Sequence, residues 1–77
     1  MTRSDNRIEV KVARIGDVTK EVNLEVNSTV EQALELADVM VDETDEIQVN
    51  GAVADETRVL ATGDKIVIIP KVDGGAF

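Results

Sequence analysis

The sequence predicts an α+β domain, a small mixed sheet with one helix packed on one face. Three observations predict it. Two early runs, Ile8-Glu9-Val10-Lys11-Val12 and Val22-Asn23-Leu24-Glu25-Val26, alternate apolar and polar side chains with period two, as half-buried strands do. Val30, Ala33, Leu34 and Ala37 then fall at i, i+3, i+4 and i+7, a single apolar helical stripe. Near the C-terminus, Ile66-Val67-Ile68-Ile69 is an apolar, β-branched run closed by Pro70, which has no backbone N–H to continue a ladder.

Residues 1–6 are polar and are expected to be a flexible N-terminus, with the domain over 7–70 and a flexible tail over 71–77. The first strand runs through Ile8 to Ala13. Arg14-Ile15-Gly16-Asp17 is turn-like, and a connection this short predicts an antiparallel hairpin with the second strand. Ser28-Thr29-Val30-Glu31 has capping-box spacing, with Ser28 as the cap and Glu31 reaching back to it, so a helix is expected from Thr29 to Val39. Asp42-Glu43-Thr44-Asp45-Glu46 reads as a solvated acidic loop, because charge runs face water. It lacks the glycine and spacing of an EF-hand.

Ile47-Gln48-Val49 is a short strand ending at Asn50-Gly51, a tight-turn signal, and Ala52-Val53-Ala54 returns as its partner. Asp55 to Leu60 is irregular, and Thr62-Gly63-Asp64 turns the chain into the last strand. That strand is apolar on both parities, as in a strand covered on both faces or central in a sheet. Either Ile66 and Ile68 or Val67 and Ile69 point outward; parity does not choose. A right-handed crossover through the helix allows this strand to lie parallel beside the first, at the sheet centre.

Composition narrows the function. A chain of 77 residues makes one domain, and at this size folding buries only about 60% of the unfolded surface. The sequence has no cysteine, which excludes disulfides, thiolate metal sites and cysteine nucleophiles. It has no histidine, the usual general base and commonest metal ligand. Acidic residues alone remain for acid–base work, without a paired spacing, so no catalytic or metal-binding residue is assigned and the chain reads as a non-enzyme. The balance of 16 acidic to 8 basic residues, net −8, argues against nucleic acid as a partner. It suits a partner with a basic face, although solubility alone is reason enough for such charge. No apolar run approaches the roughly 20 residues of a membrane span, and Met1 to Arg7 lacks the apolar stretch of a signal peptide. A cytoplasmic protein without membrane association is expected.

Three pieces of sequence carry a resemblance. They are Ile47-Gln48-Val49-Asn50-Gly51, the run Thr62-Gly63-Asp64-Lys65-Ile66-Val67-Ile68-Ile69-Pro70, and Val72-Asp73-Gly74-Gly75. In this order they resemble the ubiquitin-like β-grasp proteins, and most closely the small sulfur carriers of molybdopterin and thiamin biosynthesis, the MoaD and ThiS families. The resemblance implies a carrier. An E1-like adenylating enzyme would use ATP to activate the carboxylate of Gly75, and a sulfur donor would convert the acyl-adenylate to a thiocarboxylate. An acceptor synthase would take the sulfur. ATP belongs to the activating partner, and no cofactor is bound by this chain. Val72, Gly74 and Gly75 would be the tail residues recognised. The chemistry accounts for the residue type: a carboxylate threaded through a tunnel to the α-phosphate tolerates no side chain, and glycine has none.

The sequence departs from that family in one respect. Its carriers end at the second glycine, whereas Ala76-Phe77 follows here, so the Gly75 carbonyl is held in a peptide bond. One reading is a precursor cut between Gly75 and Ala76 by a processing protease of the JAB metalloprotease type, with Phe77, the single aromatic residue, as its handle. The others are a β-grasp binding module without carrier function, or residues foreign to the natural chain. A ubiquitin-like modifier joined through Gly75 to lysines is the alternative to the sulfur carrier. Lys11, Lys20, Lys65 and Lys71 are equivalent as acceptors of conjugation, and an exposed aliphatic sheet face would be the docking surface.

Overall fold

The computed structural model describes residues 7–70. The flexible ends expected at 1–6 and 71–77 lie outside them. Five strands and one helix follow in the order β1 (Arg7–Arg14), β2 (Thr19–Glu25), α1 (Val30–Ala37), β3 (Glu46–Val49), β4 (Ala52–Val53) and β5 (Lys65–Ile69). The strands form one sheet in the order β2-β1-β5-β3-β4. β1 and β5 are parallel, and the other pairs are antiparallel.

The register explains why one set of side chains is apolar. Ile8 and Val10 sit opposite Leu24 and Val22, Ile66 lies between Val12 and Val49, and Ile68 lies between Arg14 and Ile47. Val12, Ile66 and Ile68 are fully buried, and the helical stripe of Val30, Ala33, Leu34 and Ala37 closes over this face. The open parity is thereby resolved. Ile66 and Ile68 are core, while Val67 and Ile69 lie half-buried on the opposite face.

Four expectations change. The helix cap is Thr29: its backbone N–H donates to the Gln32 carboxamide at 2.9 Å. Ser28 instead serves the preceding turn, where its buried hydroxyl donates to the Glu25 carbonyl at 2.6 Å. The helix stops at Ala37 rather than Val39, because Asp38 turns left-handed at φ 60°. Val26 leaves β2 and stands 48% exposed, since the chain breaks at Asn27 with φ 74°. Leu60, in the irregular stretch, is a core residue at 4% exposure.

The two turns that carry much of the resemblance are bolted together. Asn50 and Gly51 both take positive φ, 56° and 87°, as a two-residue hairpin requires. Asn50 Nδ2 donates to Asp64 Oδ1 at 2.9 Å, and the Lys65 N–H donates to Asn50 Oδ1 at 3.0 Å. Asp64 Oδ2 accepts the Ala61 N–H at 2.8 Å. The β3–β4 turn thus sets where β5 begins. Asp64→Ala removes two of these bonds and should cost about 1–2 kcal/mol, measured as a lower urea midpoint at unchanged slope.

Candidate functional site

β5 delivers the chain to its C-terminal segment from the middle of the sheet. Its last rung pairs Ile69 with Glu46, and Pro70 follows, half-buried and without a donor for another. Val72, Gly74, Gly75, Ala76 and Phe77 lie outside the described residues, so the site the structure defines is the root of the tail.

Two loops stand at this end. The β1–β2 turn starts beside β5, where the Ile15 N–H donates to the Ile68 carbonyl at 3.0 Å. Its Ile15 and Val18 are 59% and 69% exposed. The loop from α1 to β3 carries Met40, 83% exposed. Arg14 ties that loop to the end of β1: Nη1 donates to the Met40 carbonyl at 2.9 Å and reaches Asp45 Oδ2 at 3.2 Å. Asp45 Oδ2 also accepts the Asp42 N–H at 3.0 Å. The Asp45 side chain is only 4% exposed. This corrects the solvated reading of the acidic loop, because one carboxylate turns inward to meet the cation of a neighbouring strand, and Glu46 belongs to β3.

Removing that cation leaves a shielded carboxylate with a backbone donor but no counter-charge. Arg14→Ala should therefore cost roughly 1–3 kcal/mol and speed hydrogen exchange at the Asp42 amide. Exchange unchanged from the parent would show that the clasp does not hold the loop.

The open sheet face has a half-buried apolar strip of Ala13, Val67 and Ile69. Lys11 and Lys65 face each other across β1 and β5 beside it, and both are exposed. Lys20 differs: its Nζ donates to the Ala37 carbonyl at 2.8 Å, at the negative end of the helix. Lys71 lies outside the described residues. The sequence reading missed the Arg14–Asp45 clasp, and no spacing rule joins residues so far apart. It also passed over Ile15 and Val18, although an aliphatic pair around a Gly-Asp turn is itself a signal of exposed apolar surface.

Among the described residues, no group of three or more acidic side chains is placed to hold a metal ion, and no helix is long and apolar enough to cross a membrane.

No family model and no curated protein matches the sequence. Solved structures do match. The crystal structure of SAMP1 from Haloferax volcanii superposes with a TM-score of 0.73 at 20% identity, over 87% of this chain and 99% of that one. The solution structure of the Haloferax volcanii HVO 2177 protein gives 0.73 at 16% identity, over 97% and 93%. The ubiquitin of Caldiarchaeum subterraneum gives 0.61 at 21% identity, over 90% and 99%. At these identities the likeness is one of architecture, and it agrees with the strand order, the parallel β1–β5 pair and the single covering helix: the fold of this chain is the ubiquitin-like β-grasp.

Proposed function

We propose that this chain is a small sulfur carrier acting through Gly75. Hydrolysis of the Gly75–Ala76 peptide bond by a JAB-type metalloprotease frees the carboxylate. An E1-like enzyme joins that carboxylate to the α-phosphate of ATP and releases pyrophosphate. A sulfur donor then displaces AMP, leaving a thiocarboxylate for an acceptor synthase. The catalytic groups belong to these partners, in the ATP-rich cytoplasm. The observation that carries this reading is the placement of Gly74-Gly75 a few residues beyond the central strand of a β-grasp sheet.

A second reading has its own support. Two of the proteins with similar structures are a small archaeal modifier protein and a ubiquitin. On that reading a lysine amine, rather than sulfur, displaces AMP from Gly75. Intact mass spectrometry of the protein from its native host tests both. A form ending at Gly75 with sulfur in place of one carboxylate oxygen supports the carrier. Isopeptide remnants on proteins captured through an N-terminal tag support the modifier. A population that always retains Ala76-Phe77 would overturn both.

A further inference from the structure

We propose that a groove beside the tail root receives a basic segment of a partner protein, one that carries an aliphatic side chain as well as lysine or arginine. The groove lies between the α1–β3 loop and the residues after β4, and encloses about 790 Å³, within the range of pockets that take several side-chain-sized groups. Its floor is aliphatic. It wraps the sheet edge: Ile47 is buried and Val41 packs against the core on the covered side, while Val53, opposite Gln48 on the open side, is 71% exposed. Its rim carries Glu43, Glu46 and Glu56, and no lysine or arginine among the described residues lines it. Asp45 also lines it, but its charge is answered by Arg14, in the only ion pair among the described residues. Among the described residues the rim glutamates therefore form no ion pair. Glu46 is held in place by the Gln48 carboxamide, which donates to it at 2.6 Å.

Charge and shape select the occupant. Carboxylates around an aliphatic floor repel nucleic acid and anionic lipid, and attract a cation that brings apolar surface with it. Glu46 stands opposite Ile69, so the groove begins at the last rung before the tail. A partner filling it has its basic segment at the point from which the tail departs. That this partner handles the tail rests on the function proposed above; the groove's preference for a basic segment does not.

The test uses the full chain and a synthetic six-residue peptide of four lysines and two leucines. Binding is read by fluorescence anisotropy at near-physiological salt and by amide shifts. Shifts should concentrate in residues 41–47 and 53–56. The pair Glu43→Lys and Glu56→Lys should weaken binding about tenfold, and Val53→Ser about threefold. All three side chains face solvent, so the urea midpoint should hold. The pair Glu25→Lys and Glu35→Lys makes the same change of charge at exposed positions on β2 and α1, and should leave binding within about twofold. Equal weakening by the two pairs would reduce the effect to net charge and overturn the proposal, as would shifts centred elsewhere or no binding. Truncation after Asp73 should abolish thiocarboxylate formation yet leave peptide binding intact, so failure of the groove and failure of the carrier reading are separable.

Discussion

Ile68→Ala is expected to remove much of the domain's stability. Ile68 is fully buried, between Arg14 of β1 and Ile47 of β3. Truncating such a side chain costs roughly 2–5 kcal/mol, because the cavity adds to the lost transfer energy. Domains of this size often hold only about 3–5 kcal/mol from their cores, so the variant should be largely unfolded without added stabilisers. Urea titration and amide dispersion in NMR spectra measure this. The neighbouring Ile69 is half-buried on the other face, and Ile69→Ala should cost less than about 1 kcal/mol. Similar losses at both positions would contradict the assignment of Ile68 to the covered face.

Gly75→Ala should abolish most activation without changing the fold. On the proposed function, in a chain ending at residue 75, the added Cβ would have to pass the slot that leads to the α-phosphate, and it would narrow the conformations available to the reacting carboxylate. A displacement of about 1 Å from the in-line position lowers rate on the order of 100-fold. Pyrophosphate release with the E1-like partner measures it, and the urea midpoint should match the parent. Equal rates for glycine and alanine would remove Gly75 from the chemistry and favour a binding module.

Most of the fold was legible because β1, β2 and α1 each carry one dominant period. Ile8, Val10 and Val12 recur at two, Val30, Ala33, Leu34 and Ala37 at helical spacing, and both patterns proved to be burial patterns. Legibility failed where two local solutions overlap or distant groups decide. Ser28 and Thr29 each have a partner three residues on, Glu31 or Gln32, so both register as caps. Tertiary pairing chooses between them: Thr29 bridges to Val59, while Ser28 is committed to Glu25. Leu60 has no periodic companions, so only the closed structure reveals it as core. Asp45 looked like one carboxylate among several until Arg14 was placed beside it.

The candidate site divides in the same way. The Gly74-Gly75 motif is visible in sequence because it requires only adjacency. The ground it departs from is not. Ile15, Met40, Glu46 and the Arg14–Asp45 clasp come from two distant stretches of chain, 14–15 and 40–46, that meet only after β5 inserts between β1 and β3.

That insertion has a mechanical consequence. A partner that draws the tail into a slot applies tension along the axis of β5. The strand is held on one side by a parallel neighbour and on the other by an antiparallel one. Ladder hydrogen bonds run largely across the strands. The pull therefore loads both ladders in shear and spreads over many bonds at once, whereas an edge strand peeled from its end would open one bond at a time. On the proposed function, the arrangement would let an enzyme tug on the last residues while the sheet stays closed, with the domain as a firm handle for its own C-terminus.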